Sequence, residues 1–172
     1  MKNRHLLLLL CTCSFFGMAN EVSTEKTGLG QKSLISVEQA YIRSSIPGTT
    51  ITSLYMIIEN KGEKTVTLLE ANSKISPRIE IHQHSMSDGM MRMRQLDSIE
   101  IKARQRIVLQ PSGLHLMLFD VKKPLKAQQN VELTLSFFHN PSVTIQVPVL
   151  SPLQEKIAQE AYSTAQPAHH HH

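Results

Sequence analysis

The chain has 172 residues, enough for one ordinary domain, with 18 Lys and Arg against 14 Asp and Glu and a formal net charge of +4. So small an imbalance gives no argument for a nucleic-acid or anionic-membrane partner. Only two cysteines are present, Cys11 and Cys13, so nothing after residue 13 can supply a thiol, a thiolate ligand or a disulfide.

The first nineteen residues have the marks of a secretory signal peptide. Lys2 and Arg4 form a basic start, Leu6 to Leu10 an apolar run, and Gly17-Met18-Ala19 a small-x-small end, with cleavage expected after Ala19. The run is too short to span a membrane as a helix. A lipoprotein reading is the weaker one, because Leu10 and Thr12 precede the cysteines where a small residue is expected. Export implies a periplasmic location. Cleavage removes both cysteines and leaves 16 basic residues against 14 acidic ones. Residues 20–33 are polar with two glycines and read as a flexible lead-in.

Residues 34–150 form the domain. Strand-like runs are expected at Leu34–Ile42, Ser53–Glu59, Thr65–Ala71, Arg78–His84, Met90–Leu96, Arg106–Leu109, Leu114–Phe119, Val131–Phe138 and Val143–Val149. Turn formers separate them, among them Pro47-Gly48, Asn60-Lys61-Gly62, Ser87-Asp88-Gly89 and Pro111-Ser112-Gly113. Short strands without helical periodicity predict an all-β antiparallel sandwich or barrel. Met56, between Tyr55 and Ile57, is expected in the core. Met90 is expected to pack or lie on the surface, and His139 to sit in an exposed turn. Ser151-Pro152-Leu153-Gln154 carries an N-cap, a proline at the first helical position and a glutamine three residues after the cap, which predicts a short helix over about 152–162. Leu153, Ile157 and Ala161 would share one face of it.

The clustering of the methionines is the feature that composition alone does not explain. Six follow residue 19, and four of those, Met86, Met90, Met91 and Met93, fall within eight residues. In the strand 114–119, alternation puts Leu114, Leu116 and Leu118 on one face and His115 with Met117 on the other. In Arg78–His84, Ile79 and Ile81 take one face and Glu80, His82 and His84 the other. A turn at Ser87-Asp88-Gly89 could bring His82 or His84 near Met91 or Met93. Imidazoles with neutral thioethers suit Cu(I), whereas zinc wants thiolates or more imidazoles, calcium wants oxygens, and a blue-copper centre needs a cysteine.

With these residues the chain resembles the periplasmic copper chaperones known as PCu(A)C. That family's hallmark is a histidine, ten residues, a methionine, twenty-one residues and His-x-Met; here these positions are His82, Met93, His115 and Met117. Tyr55-Met-Ile-Ile-Glu-Asn60, Gly89-Met-Met-Arg-Met-Arg94 and Gly113-Leu-His-Leu-Met-Leu118 also resemble the family, and the likeness covers about residues 34–150. Where the family often has a tryptophan before an arginine, this chain has Tyr41-Ile42-Arg43, a change expected to affect packing more than copper. His84, Met86 and Met91 are potential donors beyond the motif, and they leave open whether His84 competes with His82 for a place in the site.

The resemblance implies a cupredoxin-like β-sandwich that binds Cu(I) through His82, Met93, His115 and Met117. It implies delivery towards the CuA centre of a cytochrome oxidase subunit, with a thioredoxin-like copper protein as co-worker, and no enzyme activity. The residues themselves show no nucleophile–base pair or phosphate loop. A copper redox enzyme and a metal-free secreted interaction module are the rival readings. The closing run His169–His172 is either a tag remnant or a native tail. As a native tail, expected to be disordered, its imidazoles suit Cu(II).

Overall fold

The computed structural model of the protein describes residues 34–87 and 89–165. The expected signal peptide, the lead-in 20–33 and the His169–His172 tail lie outside the described residues. Ten strands follow in chain order: β1 Ile35–Arg43, β2 Thr52–Asn60, β3 Val66–Asn72, β4 Arg78–Ser87, β5 Met90–Leu96, β6 Ile99–Ile101, β7 Arg106–Leu109, β8 Leu114–Phe119, β9 Asn130–Phe137 and β10 Asn140–Leu150. One helix, α1, closes the described chain at Pro152–Ala165.

The strands are ordered β5-β4-β8-β7-β2-β1-β10-β9-β3-β6, with β8 also paired to β2. A parallel pairing of β1 with β10 joins the two halves, and β10 then runs antiparallel to β9. The halves face each other as a barrel-like β-sandwich. Leu54, Met56, Ile58, Leu116 and Leu118 from one side meet Leu68, Leu133, Leu135, Val147 and Val149 from the other, all fully buried. The pleat creates this core. In β9, buried Val131, Leu133, Leu135 and Phe137 alternate with Glu132, Thr134 and Ser136.

Strand β6 has no counterpart in the sequence reading. Its three residues are too few for an alternation to show, and it forms because Ile99 and Ile101 are buried beside β3. Met56 is in the core, Met90 is 56 % exposed, and His139 lies exposed in a turn against the ring of Phe138.

Helix α1 starts where expected and runs three residues further than the expected end at 162. Its cap is reciprocal: the Ser151 amide donates to Gln154 Oε1, and the Gln154 amide to Ser151 Oγ. The face it buries is not the one the apolar residues suggest. Leu153 and Ile157 are 70 % and 60 % exposed, whereas Glu155 is buried. Glu155 accepts from Arg43 Nε at 2.9 and 3.0 Å and from Nη2 at 2.6 Å, a forked ion pair between α1 and β1. Ala158 packs against Tyr41, Tyr55 and Ile57 on the outer face of the sheet.

Glu155→Gln should lower unfolding stability by about 1–2 kcal/mol, since it removes a charged acceptor while Arg43 stays partly solvated. Chemical denaturation with the β-sheet dichroism as readout would measure this. A midpoint unmoved by the substitution would show that the pair does not hold the helix down.

Candidate metal centre

The site lies on the outer face of β5-β4-β8, and strand register defines it. Glu80 is opposite Met117 and His82 opposite His115 across β4–β8. Across β4–β5, His82 is opposite Gln95, His84 opposite Met93, and Met86 opposite Met91. Residues opposite one another share a face, so all of these side chains stand on one surface. Ile79, Ile81, Leu116 and Leu118 point inward from the other.

His82 is at the centre of the expected set. His115 faces it directly, with ring centroids 6.0 Å apart. Met117 and Met93 are its diagonal neighbours on β8 and β5, about 7–8 Å away in such a lattice and within reach of a long side chain. The two methionines lie on opposite flanks of β4 and do not neighbour each other. An ion held by all four would sit over the His82–His115 pair, with both thioethers extended towards it. His84 intrudes on this arrangement. It faces Met93 directly, and its ring lies 5.1 Å from that of His115, closer than His82.

The nitrogens are presented selectively. His115 Nδ1 lies 3.0 Å from the Gly113 carbonyl, which can only accept, so Nδ1 carries the proton and the lone pair of the neutral ring is on Nε2. The same carbonyl accepts the His84 amide at 3.2 Å, which ties the β7–β8 turn to both histidines. His82 Nε2 lies 2.7 Å from Glu80 Oε2 and donates to it, leaving the lone pair on Nδ1. A carboxylate behind a histidine orients the ring and raises its basicity as a ligand. His82 Nδ1 and His84 Nδ1 are both buried without a hydrogen-bond partner. Two buried orphan nitrogens beside thioethers fit a soft cation. Among the described residues, no group of three or more His, Cys, Asp or Glu is placed to hold an ion, so the sulfurs are needed.

The surroundings of His115 disfavour its protonation. Burial, the largest influence, holds the His115 imidazole below the ordinary histidine range; the Gly113 bond, next in size, opposes it, and His84, His82 and Arg43 add smaller pushes in the same direction as burial. The hydrogen bond from His82, helped by Arg78, holds the Glu80 carboxyl below its ordinary range. Tyr55 covers His115 at 6.3 Å between centroids, and Phe119 flanks His82 at 6.1 Å. His115 is accordingly 3 % exposed, whereas Met93 is 48 % exposed. Sequence reading placed His115 on the face away from the leucines but could not show that this face is covered.

Pairing of β4 with β5 continues beyond the core. The last inward pair is Ile81 with Leu96; further out, Gln83 faces Arg94 and Ser85 faces Arg92 on the reverse of the hairpin. The hairpin is therefore an arm that leaves the sandwich, carrying His84, Met86, Met91 and Met93 on one face and, apart from Met90 opposite Ser87 at its tip, polar groups on the other.

Since the folded state resists protonating His115 and the unfolded chain protonates it near pH 6.5, the metal-free protein should lose stability as pH falls through about 6.5 towards the lower folded value. Above that window the contribution is constant. Glu80, with its depressed value, acts only near pH 4.5 and below. Melting temperatures from pH 7.5 to 5.5 should fall less steeply for His115→Asn than for the wild type, whatever its absolute stability. Parallel slopes would exclude His115 as the group responsible.

Comparison with known proteins agrees with the expected resemblance. The family model described as "Putative lipoprotein LpqE-like" matches residues 35–149. "Putative lipoprotein Lxx21020" of Leifsonia xyli subsp. xyli (strain CTCB07) is 28 % identical over 116 residues, 67 % of this chain and 69 % of that protein. Among solved structures, the copper-bound PCuAC domain from PmoF2 is 25 % identical with a TM-score of 0.60, over 69 % of this chain and 94 % of that one. The solution structure of CuI-DR1885 from Deinococcus radiodurans is 24 % identical with a TM-score of 0.59, over 73 % of this chain and 85 % of that one.

Proposed function

The chain belongs to the LpqE-like family and has the PCuAC fold, and from that premise we propose that it is an exported copper chaperone holding Cu(I) between His82, Met93, His115 and Met117. The observation that carries this reading is the facing pair His82 and His115, each with one nitrogen anchored to a carboxylate or carbonyl and the other left as a lone pair, with a methionine diagonal to His82 on either side. The copper-bound PCuAC domain from PmoF2 supports copper as the cargo.

Imidazole and thioether ligands suit Cu(I), because they add no charge of their own and a soft donor set releases the ion readily by exchange. Met93 comes from the exposed edge strand β5, where a recipient's sulfur or imidazole can approach and replace it stepwise. This is the behaviour of a carrier and not of an enzyme, whose metal needs a fixed vacant position for substrate. The recipient, by resemblance, is the CuA centre of a cytochrome oxidase subunit, with a thioredoxin-like copper protein assisting. As a native tail and not a tag remnant, His169–His172 adds a capture site for Cu(II).

Anaerobic competition against a chromophoric Cu(I) chelator tests the ligand set. Met93→Leu and Met117→Leu should each weaken Cu(I) binding by roughly tenfold or more with the fold intact, since even losing a group behind a ligand costs 10–100-fold. Wild-type affinity in the double variant would refute the thioether assignment, and an absence of Cu(I) binding in the wild type would leave a metal-free interaction module. Ending the chain at Gln166 should abolish the additional Cu(II) equivalent and leave Cu(I) binding unchanged. Unchanged Cu(II) stoichiometry would exclude the tail.

Relatives named as lipoproteins give the leader a direct test. Intact mass of the exported protein should match a chain beginning at Asn20. A mass carrying acyl chains on Cys11 or Cys13 would show a lipid anchor instead.

A further inference from the structure

On the surface of the site, three donors remain outside the proposed set: His84, Met86 and Met91. Met86 and Met91 face each other directly on the outer arm of the β4–β5 hairpin, on the same surface as the site. Directly opposed side chains have Cβ atoms about 4.5–5.5 Å apart, so two flexible thioethers there can meet over one ion. His84 stands two residues before Met86 and diagonal to Met91.

Packing does not account for these methionines. Met86 is 67 % exposed and Met91 60 % exposed, on an arm whose reverse face carries Gln83, Ser85, Arg92 and Arg94 instead of a core. His84, by contrast, is half-buried, and its Nδ1 is buried without a hydrogen-bond partner. A buried imidazole nitrogen left unpaired next to two solvent-facing thioethers is a mismatch in each half and a donor set together.

We propose that His84, Met86 and Met91 form a second, weaker Cu(I) site on the hairpin arm, outboard of the His82–His115 site. One imidazole and two thioethers give a three-coordinate environment that a d¹⁰ ion accepts. Greater exposure and one fewer ligand make it the weaker of the two. Its position makes it the outer station, where an ion enters from solvent or leaves for a recipient. Met93, opposite His84, lies between the two sites. The inference draws on the proposed function only for the identity of the metal.

Methionine methyl NMR of the full chain, titrated anaerobically with Cu(I), separates the two sites residue by residue. The Met93 and Met117 methyls should shift with the first equivalent, and those of Met86 and Met91 with a later one. Met86→Leu/Met91→Leu should lose one Cu(I) equivalent and keep the first event. His84→Gln, placed in a Met93→Leu/Met117→Leu background, should weaken the remaining binding at the arm by roughly tenfold or more. Met86 and Met91 methyls that never move, or that move together with Met93 and Met117 in one event, would overturn the second site. If Met86 and Met91 respond while Met93 and Met117 do not, the arm site stands and the four-ligand core reading fails.

Discussion

Everything at this centre depends on the register between β4 and β8. Ile79 and Ile81 on one strand and Leu116 and Leu118 on the other are drawn into the sandwich, and because side chains alternate, their burial drives His82 and His115 out on the same surface, face to face. A slip of one residue would send the imidazoles into the core and the leucines into water. The apolar side chains that stabilise the fold thus also fix which donors meet, so the site needs no separate scaffold.

The two facing imidazoles are held in fixed orientations. Glu80 stands behind His82 and the Gly113 carbonyl behind His115, so each ring is turned by an acceptor that takes its proton-bearing nitrogen. Tyr55 and Phe119 reduce solvent contact. The nearest carboxylate is already engaged by His82 and Arg78, which leaves the site without a free anionic ligand that would favour a harder cation.

The C-terminal helix connects to this surface through the aromatic residues. Glu155 grips Arg43, the Arg43 guanidinium lies 5.7 Å from the centre of the Tyr55 ring, the Tyr41 ring packs tilted against it at 5.1 Å, and Tyr55 in turn covers His115. Tyr41 and Arg43, in the segment where the related family often has a tryptophan, therefore buttress His115 through Tyr55. Burial raises the Tyr55 hydroxyl above its ordinary range, as expected of a ring used for packing.

The sequence by itself determined the alternation, and with it nine of the ten strands, the inward leucines, the outward His115 and Met117, and a motif of two long spacings that local patterning can carry. The N-cap of α1 was legible for the same reason: Ser151 and Gln154 are three residues apart and bond each other. What only the tertiary structure decided is whatever depends on which strands become neighbours. Ile99–Ile101 is a strand because β3 is there to bury it, and Glu155, not Leu153 or Ile157, is the buried residue of the helix because Arg43 waits on β1. Likewise, no spacing along the chain reveals that Met93 stands opposite His84 while Met117 stands opposite Glu80. Pairing across strands is fixed by the collective burial of distant apolar residues, and that balance is reached only when the whole sandwich closes.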